Sequence, residues 1–241
     1  MKHKKTLALL QARMSSSRLP GKVLKTIVGK PMLELHLERL SRCRKIDQLV
    51  VVTSIDSEDG AIEDLCKRLG INCFRGDLTN VLDRFYRAYR CFGADIIVRL
   101  TGDCPLADPG KIDELVTFFK ASGCDYASNC TPRSLPHGLD AEIFTGRALE
   151  TCWKKATTPD ENEHVTPYMR YGKNGFKITH LEYDPVNADH RWTVDEPEDF
   201  ELVTEIYEAL YHKDPYFTTE DIIHLLTQRP DLKKINARFT T

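Results

Sequence analysis

The feature that most constrains this chain is the alternation of short apolar runs, typical of strands, with longer runs of helical periodicity. Thr6–Ala12 and Leu49–Thr53 are predicted strands, and the second is apolar enough to be buried on both faces. Between them, Pro31 opens a predicted helix with Leu33, Leu37 and Leu40 on one face. Strands that alternate with helices form βαβ units around a parallel sheet. We therefore predict an α/β fold with three layers, α/β/α, and a mostly parallel central sheet.

The alternation is regular up to residue 122 and weaker after it. Further predicted strands are Cys73–Arg75, Asp95–Leu100, Leu139–Phe144, Phe176–Glu182 and Trp192–Val194. Further helices are predicted at Val81–Phe92, Arg147–Lys155, Pro197–Tyr211 and Thr219–Thr227. Another predicted helix ends at Gly70, and another begins at Pro109. We expect one domain over residues 1–241, in which residues 123–241 fold onto residues 1–122.

Length and composition exclude several classes of protein. A chain of 241 residues can bury a core without a disulfide or metal staple. The formal net charge of -2 argues against a nucleic-acid binder. None of the eight cysteines has CxxC spacing, which argues against a zinc site. The apolar run Leu7–Leu10 is too short for a signal sequence or a membrane span, so we expect a cytoplasmic protein.

The loop from Gln11 to Leu24 directly follows the first predicted strand, where open α/β sheets bind ligands. No acidic residue occurs from Thr6 through Leu33, whereas five basic ones do: Arg13, Arg18, Lys22, Lys25 and Lys30. Ser15–Ser17 add hydroxyl and backbone N–H donors that suit an anion-binding turn. The pattern fits a triphosphate, and a solvated basic loop fits it equally well. Neither GxxxxGK[ST] nor GxGxxG is present.

Two carboxylates are candidate metal ligands. Asp103 follows a predicted strand in a Thr-Gly-Asp turn, and Asp195 precedes Pro197 at a predicted helix start. Mg²⁺ that neutralises a triphosphate is held by one or two carboxylates. The structural alternatives are a turn residue for Asp103 and a helix N-cap for Asp195.

Other candidates lie at the ends of strands or within them. Thr53 and Ser54 end the second strand and could reach a base or ribose, or could simply begin a turn. Arg99 lies in a buried strand, where its charge needs a partner or a ligand. Glu163 and His164 lie in a helical stretch, where a structural or exposed histidine is the simpler interpretation.

The run from Arg13 to Leu24, Arg-x-x-Ser-x-Arg-Leu-Pro-Gly-Lys-x-Leu, resembles the signature of cytidylyltransferases of the CMP-KDO-synthetase type. With Gln11 ahead of it, the run resembles the SpsF-like branch of spore-coat polysaccharide biosynthesis. The resemblance covers nearly the whole chain and includes Val51–Ser54, Phe74–Asp77, Val81–Arg84, Arg99–Leu106, Gly138–Asp140, Glu163–Pro167 and Thr193–Phe200. The Gly-Gly-Ser-Lys loop typical of sialic-acid and pseudaminic-acid enzymes is replaced by Met14-Ser-Ser-Ser-Arg18, which favours the KDO-like and SpsF-like side.

This resemblance implies a nucleotidyltransferase fold that transfers CMP from CTP, with Mg²⁺, to an acidic or phosphorylated sugar for cell-surface or spore-coat polysaccharide. Residues 1–122 would bind the nucleotide, and residues 123–241 would bind the acceptor or form a homodimer. No nucleic-acid or membrane partner is implied. The alternatives are a nucleotidyltransferase with another nucleoside triphosphate and a GT-A-like glycosyltransferase that uses a nucleotide sugar. Against the glycosyltransferase, no Asp-x-Asp follows a predicted strand.

The candidate residues fall into four groups under this resemblance. Lys22 and Arg13 would be catalytic, and Asp103 with Asp195 would hold the metal. The nucleotide contacts would be Gln11, Ala12, Arg13, Ser15, Ser16, Ser17, Arg18, Lys22, Thr53, Ser54, Arg75, Arg99 and Thr101. The acceptor contacts would be Asp140, Glu163 and His164.

Overall fold

The predicted strands assemble into a seven-stranded sheet in the computed structural model, which describes residues 3–171, 174–185 and 187–239. Its strands are β1 (Thr6–Gln11), β4 (Gln48–Ser54), β5 (Asn72–Gly76), β6 (Ile96–Thr101), β7 (Tyr126–Ser128), β8 (Glu142–Thr145) and β9 (Ile178–His180). The order across the sheet is β5-β4-β1-β6-β8-β7-β9. Only β8 runs antiparallel to its neighbours β6 and β7, so the sheet is mostly parallel, as predicted. A separate pair of two-residue strands, β2 (Thr26–Ile27) and β3 (Lys30–Pro31), follows the loop Gln11–Leu24, which we call the basic loop.

Nine α-helices connect the strands of the described chain: α1 (Met32–Leu40), α2 (Gly60–Leu69), α3 (Val81–Phe92), α4 (Pro109–Ser122), α5 (Gly146–Lys155), α6 (Pro159–His164), α7 (Pro167–Arg170), α8 (Pro197–Leu210) and α9 (Thr219–Gln228). Their starts follow from local chemistry. Proline, which has no N–H to satisfy, occupies the first position of α4, α6, α7 and α8. Threonine side chains cap α5, α6 and α9.

The helices cover both faces of the sheet. Because side chains alternate along a strand, Leu7 and Leu9 of β1 lie in one core cluster and Ala8 and Leu10 in another. The first cluster includes α3 and α5, and the second includes α1, α2, α4, α8 and α9. The arrangement confirms the predicted three-layer α/β/α fold. None of the described helices combines the length and the apolarity needed to cross a bilayer.

The predicted strand Trp192–Val194 is wrong. His137 and Arg191 form only an isolated bridge, because the N–H groups of both Trp192 and Thr193 turn to the carbonyl of His137, at 2.6 and 2.9 Å. Gly138 permits this approach, since a Cβ there would lie 2.6 Å from the backbone nitrogen of Thr193. No ladder can continue from two donors that share one acceptor.

Other element boundaries also differ from prediction. The strand predicted at Leu139–Phe144 begins only at Glu142, and the one predicted at Phe176–Glu182 is limited to β9. Strand β7, which is three residues long, was not predicted. The division of the chain at residue 122 stays a prediction, and the pairing of β6 with β8 crosses it.

His36 on α1 supplies a test of the core. It is fully buried, and desolvation, together with the nearby Arg39 charge, lowers its pKa from 6.5 to about 3. Below pH 6.5 the unfolded chain binds a proton at His36, whereas the folded chain does not bind it until the pH is near 3. The free energy of unfolding therefore decreases as the pH falls from 6.5 toward 3, by about 1.4 kcal/mol per pH unit. In His36→Leu this loss is absent. We expect urea unfolding from pH 7 to 4 to show a growing advantage of the variant; a constant difference would contradict the assignment.

Candidate active site

The site lies where two central parallel strands end side by side. β1 and β6 are paired in register, with Gln11 opposite Thr101. The loops that leave these strands diverge around a cavity of about 370 Å³. Its lining consists of Gln11, Ala12, Arg13, Ser16, Ser17, Arg18, Lys22, Val23, Val81, Arg84, Arg99, Thr101, Gly102, Asp103, Glu163, His164 and Asp195. We call this space the first cavity. Most of the residues predicted from the sequence therefore converge on one place.

The basic loop is held by two hydrogen bonds at Met14, one to a side chain and one within the loop. The buried carboxylate of Asp59 accepts the N–H of Met14 at 2.7 Å and the N–H of Ser54 at 3.0 Å, which ties the loop to the end of β4. The carbonyl of Met14 then accepts the N–H of Gly21 at 2.9 Å, which closes the loop on itself. Gly21 has φ +69°, a conformation that glycine adopts without strain. A short 3₁₀ turn, Lys22–Leu24, follows and orients Lys22 inward.

Lys22 is a buried cation held by two acceptors. Its Nζ donates to the carbonyl oxygen of Val194 at 2.6 Å and to Oδ1 of Asp195 at 3.0 Å. Its side chain is 11% exposed, so little water competes for the ammonium group. Arg18, at the more exposed edge of the first cavity, contacts Asp195 at 3.3 Å and Glu196 at 3.1 Å. The basic loop and the start of α8 are thus joined by ion pairs.

Asp195 faces the first cavity and does not cap α8. The N-cap residue is Glu196, and Asp199 completes its capping box by accepting the N–H groups of both Asp195 and Glu196 at 3.0 Å. Asp195 instead receives Lys22, Arg18 and Arg191. Burial alone would raise its pKa, but these cations, Lys22 foremost, hold it below its usual value. Its carboxylate therefore stays charged in the site.

Asp103 approaches Asp195 through the main chain. The carbonyl of Asp103 accepts the N–H of Val194 at 2.7 Å, which places the residue before Asp195 against the turn after β6. Gly102 allows that turn to pack on the end of β1, since a Cβ there would lie 3.0 Å from the carbonyl oxygen of Gln11. The N-cap of α4 is Asp108, so Asp103 does not cap this helix.

The donor set fits a cation that arrives with a nucleotide. Asp103 and Asp195 line one cavity, and Mg²⁺ takes one or two carboxylates together with substrate phosphates. Within the described residues of the chain, no group of three or more His, Cys, Asp or Glu side chains could hold a metal by itself. Both carboxylate oxygens of Asp195 already contact cationic side chains, so a metal there would displace one of them.

Five predicted site residues do not line the first cavity. Thr53 and Ser54 are buried at the end of β4, and Ser15 lies outside the lining. Arg75 donates to the carbonyls of Ser54 and Asp56 at 2.8 and 2.6 Å and pairs with Glu63, so its donors are used at the edge strand β5. The fifth, Asp140, lines a neighbouring cavity.

Arg84 also lines the first cavity, and it belongs to the segment Val81–Arg84 that carries part of the family resemblance. It lies on α3 with its guanidinium buried, and it donates to the carbonyl of Asp77 at 2.7 Å. Burial and the nearby charge of Arg13 lower its pKa to about 10. The signal was present in the sequence, because Arg84 follows Val81 by three residues on the apolar face of a predicted helix.

A second cavity, of about 240 Å³, shares Arg99 and Thr101 with the first. Its other lining residues are Cys130, Thr131, Arg133, Asp140, Ala141, Glu142 and Arg170. Arg133 pairs with Asp140 at 2.9 Å, and Arg99 pairs with Glu142. Arg170 is 3.9 Å from Glu142 and one-third exposed. The second cavity therefore carries three guanidinium groups and two carboxylates.

Comparison with known proteins agrees with this geometry. The profile of a family described as cytidylyltransferase matches residues 7–222. The chain belongs to the cytidylyltransferase family. It is 31% identical to the spore coat polysaccharide biosynthesis protein SpsF of Bacillus subtilis, over 93% of this chain and 95% of that protein. It is 39% identical to an uncharacterized protein of Methanocaldococcus jannaschii, over 97% and 95% of the two chains. The predicted resemblance to SpsF-like proteins is confirmed.

Solved structures of cytidylyltransferases show the same fold. A cytidylyltransferase from Leptospira borgpetersenii superposes with a TM-score of 0.91 at 32% identity, over 96% of this chain and 98% of that one. A CMP:2-keto-3-deoxy-manno-octonic acid synthetase in complex with CTP superposes with a TM-score of 0.68 at 20% identity, over 85% and 99%. The second likeness concerns the fold alone.

Asp195 offers a test of the electrostatic network. Removing its charge leaves Lys22, Arg18 and Arg191 close together without their shared carboxylate. We expect Asp195→Asn to lose about 1–3 kcal/mol of unfolding free energy at pH 7, with a smaller loss at high salt. Urea unfolding at low and high salt measures it, with the exposed Asp189→Asn as control. Equal stability of Asp195→Asn and wild type would contradict the network.

Proposed function

We propose that the protein transfers CMP from CTP to an acidic or phosphorylated sugar and releases pyrophosphate. The observation that carries the proposal is the convergence of Lys22, Arg13 and Arg18 with Asp103 and Asp195 on one cavity at the carboxyl ends of β1 and β6. Membership of the cytidylyltransferase family supports the reaction type. The name of the Bacillus subtilis relative supports a role in cell-surface or spore-coat polysaccharide biosynthesis.

The first cavity is suited to a triphosphate. Arg13, Ser16, Ser17 and Arg18 line it and would bind the β- and γ-phosphates. Lys22 lies deeper, beside Asp195, and would stabilise the negative charge that grows on the α-phosphate in the transition state. A bound Mg²⁺, held by Asp103 and Asp195, would neutralise phosphate charge.

The acceptor would enter from the second cavity. That cavity meets the first at Arg99 and Thr101, so an acceptor oxygen placed there would face the α-phosphate. Its arginines suit a carboxylate or phosphate on the sugar. Asp140 contributes by fixing Arg133, whereas Glu163 and His164 approach from the first cavity. Protein residues would position the acceptor and neutralise the charge of the phosphates, and no dominant general base is needed.

We further propose a cytoplasmic homodimer that has no nucleic-acid or membrane partner. The eight free cysteines support a reducing, cytoplasmic location, the net charge of -2 supports the absence of a nucleic-acid partner, and the family resemblance supports the dimer. Light scattering coupled to size exclusion measures the mass in solution. A monomeric mass would remove the dimer from the proposal and leave the reaction untouched.

Pyrophosphate release is the deciding measurement for the reaction. We expect release with CTP, Mg²⁺ and at least one acceptor from a panel of keto-acid sugars and sugar phosphates. CTP should be preferred over ATP, GTP and UTP. Equal or better release with another triphosphate would replace CTP as the donor. Activity only with a finished nucleotide sugar would indicate a glycosyltransferase and overturn the proposal.

Lys22 is the residue whose loss should affect turnover most. We expect Lys22→Ala to lower kcat about 10²- to 10³-fold, because the cation acts on charge that develops in the transition state. Lys25→Ala, an exposed lysine three residues further along, is the matched control and should stay within about twofold of wild type. Circular dichroism and thermal unfolding verify that both variants fold. Unchanged kcat in a folded Lys22→Ala would remove Lys22 from the mechanism.

A further inference from the structure

Glu142 is a buried carboxylate at the junction of the two cavities. It begins β8, the antiparallel strand, and lies opposite Arg99 of β6 in the register of the sheet. The residue is 5% exposed and lines the second cavity. A charge in such a place persists only when partners satisfy it. Its partners therefore indicate what the charge is used for.

Four side chains from different regions of the chain meet Glu142. Arg99 forms an ion pair with it, and the hydroxyls of Tyr126 and Thr166 donate to Oε1 at 2.6 and 2.7 Å. Arg170 approaches the same oxygen at 3.9 Å. Burial would raise the pKa of Glu142, but Arg99 and the two hydroxyls more than offset this and lower it. The carboxylate is therefore charged and joins β6, β7 and the start of α7.

The contact with Thr166 holds a strained turn. The preceding residue, Val165, has φ +68° and ψ -48°, although it is β-branched. The N–H of Thr166 donates to the carbonyl of His164 at 2.8 Å and closes a three-residue turn around Val165. This conformation is costly and persists only where the surroundings impose it. The buried Val165 side chain and the bond from Thr166 to Glu142 supply that restraint.

The strained turn determines where the end of α6 points. Glu163 and His164, the two residues before Val165, end α6 and line the first cavity, with their side chains exposed to solvent. Arg99, the other main partner of Glu142, lines both cavities. One carboxylate thus fixes groups on both sides of the place where donor and acceptor would meet.

We propose that Glu142 is a positioning residue of the transfer reaction: it holds Arg99 at the junction of the cavities and, through Thr166, holds Glu163 and His164 at the first cavity. The inference rests on the proposed function for its effect on turnover. Glu142 itself contacts neither the basic loop nor Asp103 and Asp195, the two carboxylates suited to a metal. The expected signature is slower turnover with almost unchanged nucleotide binding.

The test uses Thr166, because removing Glu142 would leave Arg99 and Arg170 without their counter-charge and could unfold the chain. Thr166→Val keeps the shape of the side chain and removes the hydroxyl. We expect kcat to fall about tenfold or more while the Kd for CTP, measured by calorimetry with Mg²⁺, stays within about twofold. Thr166→Ser keeps the hydroxyl and should return kcat to within about threefold of wild type.

Thr219→Val is the matched control. Thr219 is equally buried, and its hydroxyl donates to a carboxylate, Asp108, that lines neither the first nor the second cavity. If Thr166→Val and Thr219→Val lower the melting temperature alike and leave kcat per folded molecule alike, the role of Thr166 is structural and the proposal is overturned. It is also overturned if Thr166→Ser is as slow as Thr166→Val.

A second readout separates this inference from the proposed function. The NMR signals of the His164 ring should move in Thr166→Val and stay in place in Thr219→Val, because only the first releases the turn. If wild type releases no pyrophosphate with any acceptor, the proposed function fails, whereas a shift of the His164 signals still supports the positioning. Unmoved signals in Thr166→Val overturn the positioning even in an active enzyme.

Discussion

The peptide groups around Val194 hold the two halves of the site together. The N–H of Val194 donates to the carbonyl of Asp103, and its own carbonyl accepts Nζ of Lys22. The next residue is Asp195, which also receives Lys22. Because Val194 is fully buried, neither bond is exchanged readily with water. The basic loop, the turn after β6 and the start of α8 therefore keep one fixed arrangement.

Ion pairs neutralise several of the charges of the site internally. Lys22 and Arg18 meet Asp195 and Glu196, and Arg99 meets Glu142. A ligand that draws Lys22 away from Asp195 must offer comparable negative charge, and a cation must replace Lys22 at the carboxylate. A triphosphate that arrives with a divalent ion meets both requirements at once, whereas a neutral sugar meets neither. The ion pairs thus favour a charged donor before any contact with the base is considered.

Sequence reasoning located the site correctly where basic or acidic residues follow the central strands. It was wrong where the outcome depends on which way a side chain or a backbone N–H group points. The Gln11–Leu24 loop and Asp103 follow adjacent central strands, so their meeting could be foreseen. Arg75 also ends a strand, but β5 is the sheet edge, and its guanidinium turns to nearby carbonyls. The apolar run of Trp192–Val194 favoured a strand. Its first two backbone N–H groups instead donate to the carbonyl of His137, an approach that Gly138, far away in the chain, permits. Such pairings are tertiary and leave no local pattern.

Arg99 shows how far a local rule can reach. A buried arginine in a strand requires a partner, and the sequence alone supports that much. The partner is Glu142, because β8 enters the sheet next to β6 in the reverse direction and brings its first residue opposite Arg99. In a purely parallel sheet the carboxyl end of β6 would have no incoming strand start beside it. The single reversed strand therefore accounts both for the charge balance of Arg99 and for the second cavity that opens next to it.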